Sequence, residues 1–79
     1  MLAAEVWKNA SGWHIEVERE SDDQWNVVTK IDIPDADDHR HALEIAMTQI
    51  KKAVGIPKLG YRQSGATEID GMQRFHLIA

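Results

Sequence analysis

Seventy-nine residues without a cysteine, carrying a formal charge of −4, make one small domain and exclude disulfides and thiolate metal centres. No stretch approaches the ~20 consecutive apolar residues of a membrane-spanning helix. The charge is uneven. Residues 1–38 hold three basic and ten acidic side chains, a balance of −7, and residues 39–79 hold six basic and three acidic, a balance of +3. The first half repels phosphate and the second tolerates it. The opening MLAAEVWK has no basic n-region and too short an apolar run for a signal sequence, so a cytoplasmic location is expected.

Residues 3–8 form the first expected strand, and Asn9-Ala10-Ser11-Gly12 the turn after it. A four-residue loop would set Lys8 opposite Trp13 and Val6 opposite Ile15. Residues 13–20 alternate strictly, with Trp13, Ile15 and Val17 on one face and His14, Glu16, Glu18 and Glu20 on the other. Ser21-Asp22-Asp23 turns the chain again. Residues 24–33 alternate as Trp25, Val27, Thr29, Ile31 and Ile33 against Gln24, Asn26, Val28, Lys30 and Asp32. The first set is expected in the core. Trp7 and Val28 then become apolar exceptions on an outer face of Glu, Lys, Gln and Asn. Whether Trp7 is exposed there or lies under the C-terminal hairpin stays open.

Asp35 to Gly55 reads as a long amphipathic helix. Leu43, Ala46, Met47, Ile50 and Val54 fall on one stripe. Asp35 is the expected N-cap, with Asp37 and Asp38 in the first turn, where the helix dipole favours negative charge. Lys51 and Lys52 suit the last turn, Gly55 ends the helix, and Pro57 prevents a restart. Leu59, Tyr61 and Gln63 begin a fourth strand, and Ser64-Gly65 suggests a bend. Asp70-Gly71 is a two-residue hairpin signal between Thr67–Ile69 and Met72–Ile78, where Phe75 and Leu77 alternate with Arg74, His76 and Ile78. The expected fold is a single α+β domain: an antiparallel β-meander with one long helix packed on one face, in the order β-β-β-α-β-β. A core this thin also favours a homodimer.

Little here assembles into chemistry. Asp35, Asp37 and Asp38 cap a helix, and no second ligand cluster is evident for a metal. His39 and His41 lie roughly 200° apart around a helix and cannot share an ion. Ser11, Ser21 and Ser64 sit in turns, outside any nucleophile elbow, and the glycines match no phosphate loop. No enzyme activity, metal or cofactor is expected.

A three-stranded meander followed by a helix resembles, in element order, the arm-binding domains of phage integrases, which lay their sheet on DNA. Here that half of the chain is acidic, the reverse of what phosphate binding needs. A second nucleic-acid surface stays open. Lys51, Lys52, Lys58, Arg62 and Arg74, with Tyr61 and Phe75 for stacking, could hold a single strand. Ile33-Pro34-Asp35 running into Ala42-Leu43-Glu44-Ile45-Ala46 resembles the HicB-type antitoxin domain over about residues 13–54. That resemblance implies a role as a protein partner. The DNA-binding tail such antitoxins usually carry is not expected in residues 55–79, where Asp70-Gly71 suggests a hairpin instead.

The expected function is therefore non-catalytic. The chain would bind another protein or a second copy of itself through Trp7, His14, Glu16 and Val28, with Trp7 as anchor and the glutamates selecting a basic partner.

Overall fold

The computed structural model describes residues 1–64 and 70–79. Its elements run β1 (Leu2–Asn9), β2 (Gly12–Ser21), β3 (Gln24–Ile33), α1 (His39–Val54), β4 (Gly60–Gln63) and β5 (Gln73–Ile78). The expected order is the observed one. All strand pairs are antiparallel, and the strands lie in the order β3-β2-β1-β5-β4. The meander thus grows to one side of β1. The helix then carries the chain from β3 at one edge to β4 at the other, and β5 fills the place between β4 and β1. Gly65 of the expected bend and the expected strand Thr67–Ile69 lie outside the described residues. No helix among the described residues is long and apolar enough to cross a membrane.

The first hairpin takes the anticipated register, with Val6 opposite Ile15 and Lys8 opposite Trp13. Asn9 pairs with Gly12, so the loop itself is only Ala10-Ser11. Gly12 has φ +120, and a Cβ there would stand 3.1 Å from the Ile33 carbonyl oxygen and 3.3 Å from that of Pro34. Only glycine lets the end of β3 pass this close.

Leu2, Ala4, Val6, Trp13, Ile15, Val17, Ile31, Ile33, Phe75 and Leu77 turn one sheet face toward the helix, which buries Ala42, Leu43, Ala46, Met47 and Ile50 against it. The helix starts later than the sequence pattern suggests. Asp38, not Asp35, is the N-cap: its side chain accepts the His41 N–H at 2.8 Å, and no acidic residue lies in the first turn. The reason is visible in the connector, where the Trp13 indole N–H donates to the Ala36 carbonyl at 3.2 Å and holds residues 34–37 out of the helix. Gly55, with φ 73, ends the helix as expected, its N–H bonded to the Lys51 carbonyl at 2.9 Å.

The largest departure from the expected pattern is in β3. Its pairing with β2 slips by one residue between Val17 and Glu18: Thr29 faces Val17, but Val27 faces Glu18. Val28 is the extra residue of a β-bulge. Side chains alternate with period two, so one inserted residue moves everything before it to the opposite face. Trp25 and Val27, expected in the core, therefore lie on the outer face, 37% and 50% exposed. Val28, expected outside, is half-buried and packs against the helix-side core. The two roles are exchanged.

Candidate functional site

The sheet face away from the helix is built in rows. Lys30, Glu16, Glu5 and Arg74 stand side by side on β3, β2, β1 and β5. The next row holds Val27, Glu18, Ala3, His76 and Arg62, and Trp25 follows opposite Glu20. In the other direction come Asp32, His14 and Trp7.

Antiparallel pairing sets Glu5 directly across from Glu16, and Glu18 closes the group. One carboxylate oxygen from each of the three lies within 4.8 Å of the others. Such crowding of like charge requires compensation. Arg74 supplies most of it, with Nη1 3.3 Å from Glu5 and 3.6 Å from Glu18, while the Lys30 ammonium lies 3.8 Å from Glu16. Burial, and then the hydrogen bond and charge of Glu5, still push the Glu18 carboxyl above its ordinary value, against the lowering effect of Arg74. Among the described residues, these three carboxylates share two cations, Arg74 and Lys30.

The Arg74 and Trp25 side chains together bridge β1 and β2, with Arg74 Cζ 4.5 Å from the Trp25 ring centroid. Ala3, on the same face between them, is fully buried yet lies outside the helix-side cluster. A small residue there leaves the floor flat enough for this span.

At the opposite end of the face, Trp7 is half-buried and stacks on His14 at 5.6 Å. His14 joins an array with the connectivity of a catalytic triad. Its Nε2 lies 3.0 Å from the Ser11 hydroxyl, and its Nδ1 lies 2.8 Å from Asp32 Oδ1. The protons do not run as a triad needs. Asn9 Oδ1 accepts both the backbone N–H and the hydroxyl of Ser11, at 2.9 and 2.7 Å, and also faces His14 Nε2 at 2.8 Å. The Ser11 hydroxyl gives its proton to Asn9 Oδ1 and so has none for His14 Nε2. A triad requires an unprotonated Nε2 receiving the serine proton. This geometry latches the β1–β2 turn to β3.

The basic residues considered for nucleic acid do not share one surface. Lys51 and Lys52 line an open groove with Thr48, Gly55 and Pro57 at the end of the helix, and Lys58 is exposed in the connector beyond it. Arg62 and Arg74 belong to the outer sheet face, where Arg74 is taken up by Glu5 and Glu18. Of the proposed stacking residues, Phe75 is buried, and Tyr61 donates its hydroxyl proton to Glu44 and receives the Arg40 Nε–H at 3.1 Å. His39 packs edge-on against Trp13 and donates to the Gly71 carbonyl, a structural use.

Of the residues expected at a partner surface, the fold brings Trp7, His14 and Glu16 onto one face and removes Val28. Glu5, Glu18, Trp25 and Arg74 were not placed there by sequence pattern. Glu5 could have been, since the register Val6–Ile15 already sets it opposite Glu16.

No protein-family model matches the chain, and neither a curated protein nor a solved structure does.

Proposed function

We propose that the chain is a non-catalytic binding module whose outer sheet face docks a basic segment of another protein. One observation carries this: a single-residue bulge turns Trp25 and Val27 out of the core onto the face that holds Glu5, Glu16, Glu18 and Glu20. Exposing an indole and an isopropyl group to water costs burial free energy that the same chain without the bulge would recover. An aromatic anchor beside incompletely neutralised carboxylates suits a cationic partner, with the charge governing encounter and the indole governing residence.

Tryptophan fluorescence of the full chain, titrated with octa-arginine, octa-lysine, octa-glutamate and a labelled single-stranded oligonucleotide at low salt, tests it. Saturable binding of the cationic peptides, weakened by added salt, is the expected result. Failure of both cationic peptides to bind, or preferential binding of the oligonucleotide, would overturn it. Trp7→Ala adds a control on the far end of the face: lost affinity at an unchanged melting temperature assigns Trp7 to the interface, and a large fall in melting temperature assigns it to the fold.

Self-association is a second reading, favoured by the β3 edge. Among the described residues this edge is unpaired, and its first six residues, Gln24–Thr29, carry no charge. A second copy could pair there, away from the mutual repulsion of two acidic faces. A sharp monomer mass by light scattering at high micromolar concentration would rule it out.

A further inference from the structure

We propose that the outer face distinguishes arginine from lysine in the segment it binds, seating a partner guanidinium on Trp25 beside Glu20. This depends on the basic-partner docking proposed above and specifies the side chain recognised.

One row of this face holds a cation of each kind, Arg74 and Lys30, and the two are held differently. The Arg74 guanidinium is stacked 4.5 Å from the Trp25 centroid, is held by two carboxylates, and leaves 24% of its side chain exposed. The Lys30 ammonium meets a single carboxylate at 3.8 Å with 70% of its side chain exposed, and approaches no ring. Both stand in the same row beside the same glutamates, Arg74 on the interior strand β5 and Lys30 on the edge strand β3, and their head groups add to that difference in position. A guanidinium is planar and weakly hydrated, stacks on an indole face, and donates along several fixed directions. An ammonium is compact and strongly hydrated, and gives up its water reluctantly.

Arg74 occupies only part of Trp25, which remains 37% exposed. The register neighbour of that ring is Glu20, whose carboxylate makes no hydrogen bond or ion pair with a described residue. Asp22 and Asp23, both at positive φ, form the turn immediately beyond. An exposed indole with an uncommitted carboxylate beside it repeats the pair that already captures Arg74. The occupant that fits is an arginine of an extended, basic protein segment. Its positive charge is matched by five carboxylates on this face, Glu5, Glu16, Glu18, Glu20 and Asp32, against Lys30, Arg62 and Arg74. A second copy of this chain would bring that same negative balance.

The test compares octa-arginine with octa-lysine, equal in charge and length, on the full chain at physiological salt, with Glu20→Gln and Trp25→Ala as variants. Octa-arginine should bind about tenfold more tightly, the size of one partly desolvated cation–π contact. Each variant should reduce that ratio toward one, and Glu20→Gln, which breaks no hydrogen bond or ion pair with a described residue, should do so without changing the melting temperature. Equal affinity for the two peptides would overturn arginine selectivity while leaving basic-partner docking intact. A preference that survives both variants would overturn the seat. Binding of neither peptide would remove the docking itself.

Discussion

Arg74 and Trp25 are in contact across the sheet although β1 and β2 lie between their strands. Neither position announces this in the sequence: Trp25 stands at a core phase of its strand, and Arg74 at an ordinary solvent phase. Their meeting requires both the bulge at Val28 and the return of β5 to the far side of β1. Between them lie the carboxylates that make the face acidic, so this one contact organises much of the surface proposed for binding.

Arg74→Ala should destabilise the chain by about 1–3 kcal/mol, because Glu5 and Glu18 then keep their mutual repulsion without a charged hydrogen-bond donor. Urea denaturation measures it. Adding Glu18→Gln to that variant should restore part of the loss, and a double-mutant cycle gives the coupling. Independent, additive effects would mean that the ion pair contributes nothing in solution.

The pH dependence of Glu18 has a definite sign. Its folded carboxyl titrates above the ordinary value near 4.5, so the folded chain holds that proton more tightly than the unfolded chain. The stability it contributes is fully present below about pH 4.5 and is lost as pH rises through the higher folded value. Glu18→Gln resembles the protonated form. It should therefore be more stable than the parent at neutral pH, with the difference closing on acidification. Melting temperatures of both proteins across this range check the sign.

Gly12→Ala should be severe for a single methyl group. The substitution strains a φ of +120 and presses Cβ against the backbone oxygens of Ile33, at the end of β3, and Pro34, at the start of the connector. A cost above about 2 kcal/mol is expected. A thermal melt within a degree or two of the parent would show that the connector yields easily.

Ser11 should behave as a turn residue, not as a nucleophile. Its hydroxyl proton goes to Asn9, whose amide oxygen also stands 2.8 Å from His14 Nε2. A fluorophosphonate probe should leave the intact mass unchanged. Asp32→Asn should loosen the β1–β2 turn, seen as faster amide exchange at Ala10 and Ser11. Covalent labelling of Ser11 would reverse the proton assignment.

Much of the fold follows from local rules that act along the chain. Strict alternation over 13–20 sets which residues of β2 face the helix, the short turn before it sets the register with β1, and the 43–54 stripe gives the helix its buried side. Gly55 ends that helix because few other residues accept its backbone angle. These features depend on neighbours a few residues away, so the order of residue types is enough to read them.

The proposed binding face was less legible, for a physical reason. Trp25, Val27, Thr29, Ile31 and Ile33 alternate without interruption, and no glycine or charged residue marks the bulge at Val28. The slip exists only as a relation between β3 and β2, decided by how the two strands pack together. Asp35 lost the cap to Asp38 in the same manner, through an indole hydrogen bond from a residue more than twenty positions earlier. Glu5, Glu18 and Arg74 come from three strands and become a group only once β5 has docked beside β1. Side-chain phase within a strand is local and written in the sequence; the face that phase finally points to belongs to the assembled sheet.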